Sequence, residues 1–158
     1  MTGQPRDHAG VRVPPPLIFL GLVVIGPVLD SLVGLAPLAI PPTLRTVLVL
    51  ILIAAGLAVV LVAVRRFASA GTRVEPWVPS SAIVSDGIYR FTRNPMYVGM
   101  AVVMLGLSLI LASPASLGMV VVGVLIVDRF VIRREEAYLE AKFGEEYRTY
   151  RARVRRWL

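Results

Sequence analysis

The residues best suited to chemistry lie in two polar stretches that each border an apolar run. The first stretch, YRFTRNPMYVG at residues 89–99, places two arginines, an asparagine and a proline directly before apolar sequence. Asn94 is a residue type preferred at helix N-caps, and Pro95 fits the first helical position, where a missing N–H is no loss. The stretch therefore predicts a helix that begins at Pro95, with Arg90 and Arg93 beside its N-terminus.

A helix N-terminus flanked by two cations is a place that attracts anions. Unpaired backbone N–H groups and the helix dipole both favour negative charge there, and Arg90 and Arg93 would strengthen the attraction. A carboxylate or a phosphate would suit this environment. An anchoring role, in which the arginines only hold the helix at lipid headgroups, explains the same residues equally well.

The second stretch, RREEAYLEAKFGEEY at residues 133–147, follows another apolar run. Adjacent side chains on a helix point about 100° apart, so we expect at most one of Glu135 and Glu136 to face a given pocket. Ion pairs about one turn apart, such as Arg133 with Glu136, are the competing interpretation of these charges.

The elements that position these stretches are predicted from composition. Apolar residues make up 56% of the 158 residues and charged residues only 17%, with a mean hydropathy of +0.74, which excludes an ordinary water-soluble globule. The second of four long apolar stretches has no charge and would span ~28 Å, close to the thickness of a bilayer core. We predict a single-domain (1–158), all-α polytopic membrane protein with four transmembrane helices, at about 17–35, 46–64, 96–112 and 115–132.

The basic residues predict the orientation of these helices. If the N-terminus is cytoplasmic, the loop 65–95 and the tail 133–158 lie on the same side, and all 17 Lys and Arg except Arg45 fall inside. This asymmetry is the one the positive-inside rule describes. The net charge of +7 therefore indicates topology and contact with anionic lipid headgroups, and it argues against nucleic acid as a partner.

The connection between the third and fourth helices is the short segment SPAS at residues 113–116, which predicts a tight hairpin. The hairpin would return Glu135 and Glu136 to the membrane face that carries Arg93 and Asn94. The fourth helix is expected to continue past the membrane to Gly144. A C-terminal amphipathic helix on the membrane surface should follow, with these residues near one face: Tyr147, Tyr150, Val154 and Trp157.

Few residues are available for metal binding or for a functional carboxylate within the membrane. The chain has no Cys and one His, His8 in the N-terminal tail, so the sequence argues against a metal site. Asp30 is expected near the outer interface, with a buried functional carboxylate as the alternative. A small four-helix transporter and a headgroup-binding membrane protein therefore stay open as alternatives to an enzyme.

Two motifs in this order resemble a known family. GIYRFTRNPMYVGM, followed after a hairpin by EEAYLEAKFGEEYRTYRARVRR, is similar to isoprenylcysteine carboxyl methyltransferases and the related phospholipid N-methyltransferases, over about residues 71–155. The resemblance implies an integral membrane enzyme that takes its methyl group from S-adenosylmethionine, bound in a cytoplasmic pocket. No G-x-G-x-x-G follows a strand, which excludes a Rossmann cofactor site.

The resemblance also implies which residues form the site, because positions of this sequence match positions of the family motif. It implies a cofactor pocket formed by Gly87, Tyr89, Arg93, Asn94, Pro95, Tyr97, Glu135 and Glu136. Arg90, chosen by its position, is expected to join Glu135 and Glu136 as a catalytic residue. Arg93 would bind the methionyl carboxylate, and a glutamate would bind the ammonium group or the ribose hydroxyls. The family usually has His at the position of Asn94, and Asn cannot titrate near neutral pH, so orientation is the better role for it.

The expected reaction is an in-line methyl transfer to a lipophilic acceptor, which could be a carboxylate, a thiol or an amine. Such an acceptor would arrive from the bilayer. On position alone, Arg90, Arg129 and Trp77 are expected to border its pocket, and Asp128 to pair with an arginine of the loop. The short, Arg-rich and Cys-free chain favours a bacterial inner membrane, and the sequence leaves the oligomeric state open.

Overall fold

The protein is described by a computed structural model that covers residues 8–11 and 13–158. Within these residues the chain is helical and contains no strand. The α-helices are α1 (Pro15–Val33), α2 (Pro42–Ser69), α3 (Pro95–Ile110), α4 (Pro114–Val127), α5 (Arg133–Phe143) and α6 (Glu145–Arg153). A 3₁₀ turn, Gly87–Arg90, precedes α3, and a π-helical turn, Asp128–Ile132, joins α4 to α5.

Prolines define where the apolar helices begin. Each of α1 to α4 has proline in its first turn, where the missing N–H would have had no intrahelical partner. The predicted start of α3 at Pro95 is confirmed. Gly34 ends α1 in the left-handed conformation, and Gly144, with a φ of 55°, separates α5 from α6 as expected.

Helix length and apolar composition support a membrane protein. In the described part of the chain, three continuous helices are long and apolar enough to cross a bilayer: Pro15–Val33, Pro42–Ser69 and Pro114–Phe143. Helix α3 is also apolar but has 16 residues, which is short for a span. The predicted fourth crossing, at 96–112, therefore stays a prediction.

The helices pack in two pairs around the hairpin of α3 and α4. Helix α1 packs mainly on α4, and α2 on α3. Gly56 and Gly99 face each other so closely that a Cβ added to either would lie 2.7 Å from the carbonyl oxygen of the other. Gly106 lies against Ile53 further along the same interface. Glycines at these positions thus permit close packing of α2 on α3.

Asp30 lies near the end of α1, against the turn between α3 and α4, and its side chain is buried there, with 8% of its surface exposed. Its carboxylate accepts hydrogen bonds from the Ser113 hydroxyl and from the backbone N–H of Ala115, at 2.9 Å. A carboxylate from α1 thus caps the N-terminus of α4, which also favours negative charge. The partners of Asp30 give it a structural role.

The C-terminal region differs from the predicted amphipathic helix, which is not confirmed. Helix α6 ends at Arg153, so Val154 and Trp157 lie beyond it. Tyr147 and Tyr150 are buried within the protein, with 2% and 6% of their surface exposed. Their rings contact each other at a centroid distance of 6.2 Å and cannot both serve as membrane anchors.

Candidate active site

A cavity lies at the end of the bundle where α3 begins and α5 follows α4. Its walls come from the loop between α2 and α3, the first turn of α3, α5 and α6. The free space is about 830 Å³ when the open mouth is included. The hairpin thus brings the two polar stretches of the sequence to one place.

Six of the predicted site residues line this cavity: Tyr89, Arg93, Asn94, Tyr97, Glu135 and Glu136. Pro95 is buried at the start of α3 and is not part of the lining. Gly87 also lies outside the lining. Its φ is +56°, and a Cβ there would meet the Arg66 guanidinium at 2.5 Å, so its role is in the backbone turn.

The residues predicted to border the acceptor lie elsewhere. Arg90 and Arg129 are exposed, and Trp77 has 42% of its surface exposed; all three are outside the cavity lining. The position of these residues in the sequence placed them near the membrane surface but did not fix the direction of their side chains. The assignment of Arg90 to catalysis and of Arg90, Arg129 and Trp77 to the acceptor pocket therefore finds no support in the geometry.

Glu136 is a buried carboxylate held between two arginines. Arg93 Nη2 donates to its Oε1 at 2.7 Å. Arg156 donates to both oxygens, from Nε at 3.1 Å and from Nη2 at 2.5 Å. Glu136 has 7% of its surface exposed, and the two arginines compensate the cost of burying a lone carboxylate there.

Glu135 has a different environment on the adjacent position of α5. It lies beyond Ile132, where the apolar part of the helix ends, and its Oε1 accepts a hydrogen bond from the Tyr97 hydroxyl at 2.7 Å. Burial is the main reason that the pKa of Glu135 is raised to about 7; the Tyr97 hydrogen bond lowers this pKa, and the neighbouring Glu136 carboxylate raises it. Glu135 is the carboxylate of this cavity that can change its protonation near neutral pH.

The expectation that at most one glutamate could face the pocket is wrong. Both line the cavity because it curves around α5, with Tyr97 on one side and Arg93 on the other. The π-helical turn Asp128–Ile132 adds a residue to the helix and changes its register before α5 begins. A regular 3.6-residue periodicity could not predict that change.

Arg93 connects the cavity to the C-terminal end of the chain. Its Nη1 donates to the carbonyl oxygens of Arg151 and Val154, at 2.9 and 2.8 Å. Its Nε is buried and has no partner among the described residues, and the same holds for the Tyr89 hydroxyl. Burial raises the pKa of that hydroxyl, so it stays a hydrogen-bond donor. Unpaired buried donors in residues that line a cavity indicate a place for a ligand.

Asn94 occupies the N-cap position of α3, but its side chain accepts no hydrogen bond from the described N–H groups of that helix. Instead, its Nδ2 donates to the carbonyl oxygen of Arg156 at 2.9 Å. The predicted side-chain cap is therefore wrong for the described N–H groups: the amide binds through its donor Nδ2, and its oxygen does not accept from the first turn of α3. An orienting role in place of a titrating one is consistent with this contact.

The sequence did not predict the part played by the last residues of the chain. Asp128 was expected to pair with an arginine of the loop, but its carboxylate lies 3.5 Å from Arg133 and 3.4 Å from Arg156. It also accepts a hydrogen bond from Trp157 Nε1 at 3.0 Å. These pairs join residues from 5 to 29 positions apart, and an Arg-rich tail was the only signal for them.

Apolar side chains form the other side of the cavity. They come from the ends of α2 and α3, from the intervening loop and from α5, and they are Phe67, Val74, Pro76, Val78, Ile83, Val84, Met96 and Leu139. The cavity thus has a charged side at the start of α3 and a mainly apolar side along the loop, which also carries the ion pair of Arg73 with Glu75. Such a division suits a ligand or a ligand pair with both polar and apolar parts.

The helices are apolar, and the cavity at one end of them has both polar and apolar walls. Together these features are typical of a membrane protein that binds a ligand. The sequence profile of the phospholipid methyltransferase family matches residues 44–146, and the chain belongs to this family. The resemblance inferred from the two motifs is thereby confirmed. Family and fold together indicate a methyltransferase of the membrane.

Two relatives support this assignment over part of the chain. An uncharacterised protein of Haemophilus influenzae is 43% identical over 63 residues, which are its whole length and 40% of this chain. A protein-S-isoprenylcysteine O-methyltransferase of Schizosaccharomyces pombe is 37% identical over 75 residues, 46% of this chain and 30% of that enzyme. The chain thus aligns with less than a third of the yeast enzyme. No solved structure matches it.

Proposed function

We propose that the protein transfers a methyl group from S-adenosylmethionine to a lipophilic acceptor at the cytoplasmic face of a bacterial inner membrane. The observation that carries this proposal is the cavity lined by Tyr89, Arg93 and Glu135, in which the Tyr89 hydroxyl and Arg93 Nε are buried without a partner among the described residues. Membership of the phospholipid methyltransferase family supplies the reaction class.

The residues of the cavity fit the polar groups of this cofactor. Its carboxylate needs donors, which the Tyr89 hydroxyl, Arg93 Nε and the N-terminus of α3 can supply. Its ammonium group and ribose hydroxyls need acceptors, and Glu135 is the carboxylate available for them. Glu136 is already bound by Arg93 and Arg156, so its role is to position Arg93.

The chain has to orient two molecules and keep water away from them. When bound, the cofactor supplies a methyl group on a sulfonium, which is already activated for in-line displacement. No covalent nucleophile is required, so the contribution of the protein is alignment of the two reactants and exclusion of water. A carboxylate or thiolate acceptor would need no base. An amine would have to lose a proton, and Glu135, whose pKa is about 7, is suited to accept it.

The apolar side of the cavity suits the acceptor. Val78, Ile83 and Met96 belong to this side, and Arg93 and Glu135 lie on the charged side. An acceptor that enters from the bilayer would keep its hydrocarbon part along the apolar wall, where burial is favourable, and present its reacting group to the charged side.

Calorimetric titration of the purified protein with S-adenosylhomocysteine tests the cofactor assignment. Arg93→Ala and Glu136→Ala should each weaken binding by about tenfold or more, because each removes charged hydrogen bonds of the cavity. Arg153→Ala is the matched control, since Arg153 is exposed and contacts the Thr149 carbonyl on its own helix. Unchanged affinity in both cavity variants would remove this site assignment.

The acceptor can be identified by methylation of an extracted lipid pool with labelled cofactor, followed by mass spectrometry. A labelled lipid formed by the wild-type protein and lost in Glu135→Gln would support the proposal. Binding of S-adenosylhomocysteine without any labelled lipid product would instead indicate an acceptor outside the lipid pool. Absence of binding by folded protein would contradict the proposed function.

A further inference from the structure

The last residues of the chain, 154–158, form an extended segment that we call the C-terminal strap. It begins at Val154, where the backbone leaves the helical conformation, with φ −121° and ψ 133°. Three consecutive residues before α3 bind its backbone. The Arg93 N–H donates to Arg155 O at 2.9 Å, while the Thr92 hydroxyl and Asn94 Nδ2 donate to Arg156 O at 3.1 and 2.9 Å.

These contacts place the Arg156 side chain against the glutamate pair. Its guanidinium forms two hydrogen bonds with Glu136, at 2.5 and 3.1 Å, and approaches Asp128 at 3.4 Å. The neighbouring Trp157 also binds Asp128. Arg156 is therefore fixed at both ends, through its carbonyl to the turn before α3 and through its side chain to the π-helical turn and α5.

Arg156 controls the charge next to Glu135. Glu136 has 7% of its surface exposed, and Arg93 and Arg156 are its two cationic partners among the described residues. Loss of Arg156 would leave a buried carboxylate with one cation, directly beside a second carboxylate. Its negative charge would then act more strongly on Glu135 and on the ligand groups that Glu135 binds.

We propose that Arg156 is a positioning residue for the methyl-transfer site: it fixes and neutralises Glu136, so that Glu135 is the acceptor available to the ligand. The strap is thus a part of the site and not only the end of the chain. This inference rests on the proposed function for its effect on cofactor affinity, but its effect on the glutamate pair is independent of any cofactor.

The first test is binding of S-adenosylhomocysteine to Arg156→Gln, Arg156→Lys and the control Arg153→Gln. The glutamine variant should bind about tenfold more weakly, the lysine variant should recover part of the loss, and the control should match the wild type. When Glu136→Gln is already present, Arg156→Gln should cost much less, because the charge it neutralises is gone. An equal loss in both backgrounds would overturn the proposal.

The second test needs no cofactor and follows the carboxyl carbon of Glu135 by ¹³C NMR as pH is varied, with Glu135→Gln giving the assignment. The charged or titratable groups facing Glu135 are Tyr89, Tyr97 and Glu136, and those facing Glu136 are Arg93, Arg156 and Tyr147. Arg156→Gln should move the Glu135 midpoint upward, whereas Arg153→Gln should leave it in place.

The outcomes separate this inference from the proposed function. An upward shift in a protein that does not bind S-adenosylhomocysteine would support the role of Arg156 toward the glutamates and contradict the proposed cofactor. An unshifted midpoint would overturn the role of Arg156 whether or not the wild type binds. Arg156→Met keeps the aliphatic stem and takes the place of the glutamine variant if that variant does not fold.

Discussion

Two adjacent glutamates of one helix have opposite electrostatic environments. Glu136 faces Arg93 and Arg156, while Glu135 faces the hydroxyl of Tyr97 and the negative charge of its neighbour. Burial raises the pKa of Glu135 to about 7, whereas two arginines bind Glu136. Two carboxylates in such different surroundings allow one site to bind a cation and to exchange a proton.

The pKa of Glu135 predicts how stability depends on pH. The folded-state pKa is about 7 and lies above the unfolded value of about 4.3, so the folded chain binds this proton more tightly. Its contribution to the free energy of unfolding should therefore be largest at low pH and fall as pH rises from about 4.3 to about 7. In Glu135→Gln this loss should be absent.

Thermal unfolding of the two proteins in the same detergent across this pH range is the measurement. The melting temperature of Glu135→Gln minus that of the wild type should increase with pH and level off above about pH 7. A difference that stays constant with pH would mean that Glu135 does not titrate in this range.

The hydroxyls of Tyr89 and Tyr150 differ in their hydrogen bonding, so their removal should change stability in opposite directions. The Tyr89 hydroxyl is buried without a partner among the described residues, whereas that of Tyr150 donates to the Tyr89 carbonyl at 2.8 Å. Tyr89→Phe should raise the free energy of unfolding, by about 1–3 kcal/mol, since it removes an unsatisfied polar group. Tyr150→Phe should lower it by about 1 kcal/mol.

The effect of Tyr89→Phe on cofactor binding should be opposite to its effect on stability. Tyr89→Phe should weaken binding of S-adenosylhomocysteine although the protein is more stable, because the removed hydroxyl is the proposed donor to the ligand. Calorimetry and thermal unfolding of both variants check this. If Tyr89→Phe retained full affinity and gained stability, the hydroxyl would have no part in the site.

At the scale of the helices, close packing of α2 on α3 holds the first turn of α3 in place. Gly99→Ala should destabilise the protein by about 1–3 kcal/mol, because the new methyl group would meet the carbonyl oxygen of Gly56 at 2.7 Å. Gly118→Ala is the matched control in α4, where nothing lies within 4 Å of the added Cβ. Equal melting temperatures for the two variants would contradict this packing.

The helix starts could be predicted from sequence, whereas the contacts of the strap could not. Pro95, Pro114 and Gly144 act through local backbone geometry, which sequence shows directly. The pairing of Arg156 with Glu136 joins residues 20 positions apart, and that of Asn94 with Arg156 joins residues 62 apart. No periodicity indicates such pairs, because they depend on how α5, α6 and the strap fold back on the hairpin.

At the scale of the whole molecule, contacts between the interhelical loops indicate which loops lie on the same side of the membrane. The backbone N–H of Leu38 donates to Ala112 O at 2.8 Å, which joins the α1–α2 loop to the α3–α4 turn. Both connections therefore lie at one end of the bundle, and the cavity lies at the other. We therefore predict that helix α3, at 16 residues and ~24 Å, crosses as well, despite its shortness.

Single cysteines test this topology directly, because the chain has no Cys of its own. Thr43→Cys and Leu111→Cys should react with a membrane-impermeant maleimide in intact cells, since both side chains are exposed at the end opposite the cavity. Ser85→Cys, exposed in the cavity loop, should react only after the cells are permeabilised, as the positive-inside rule requires of a side with so many arginines. Labelling of Ser85→Cys in intact cells would place the cavity on the outer face, where a cytoplasmic methyl donor could not reach it, whereas failure of Leu111→Cys alone would show that α3 does not cross.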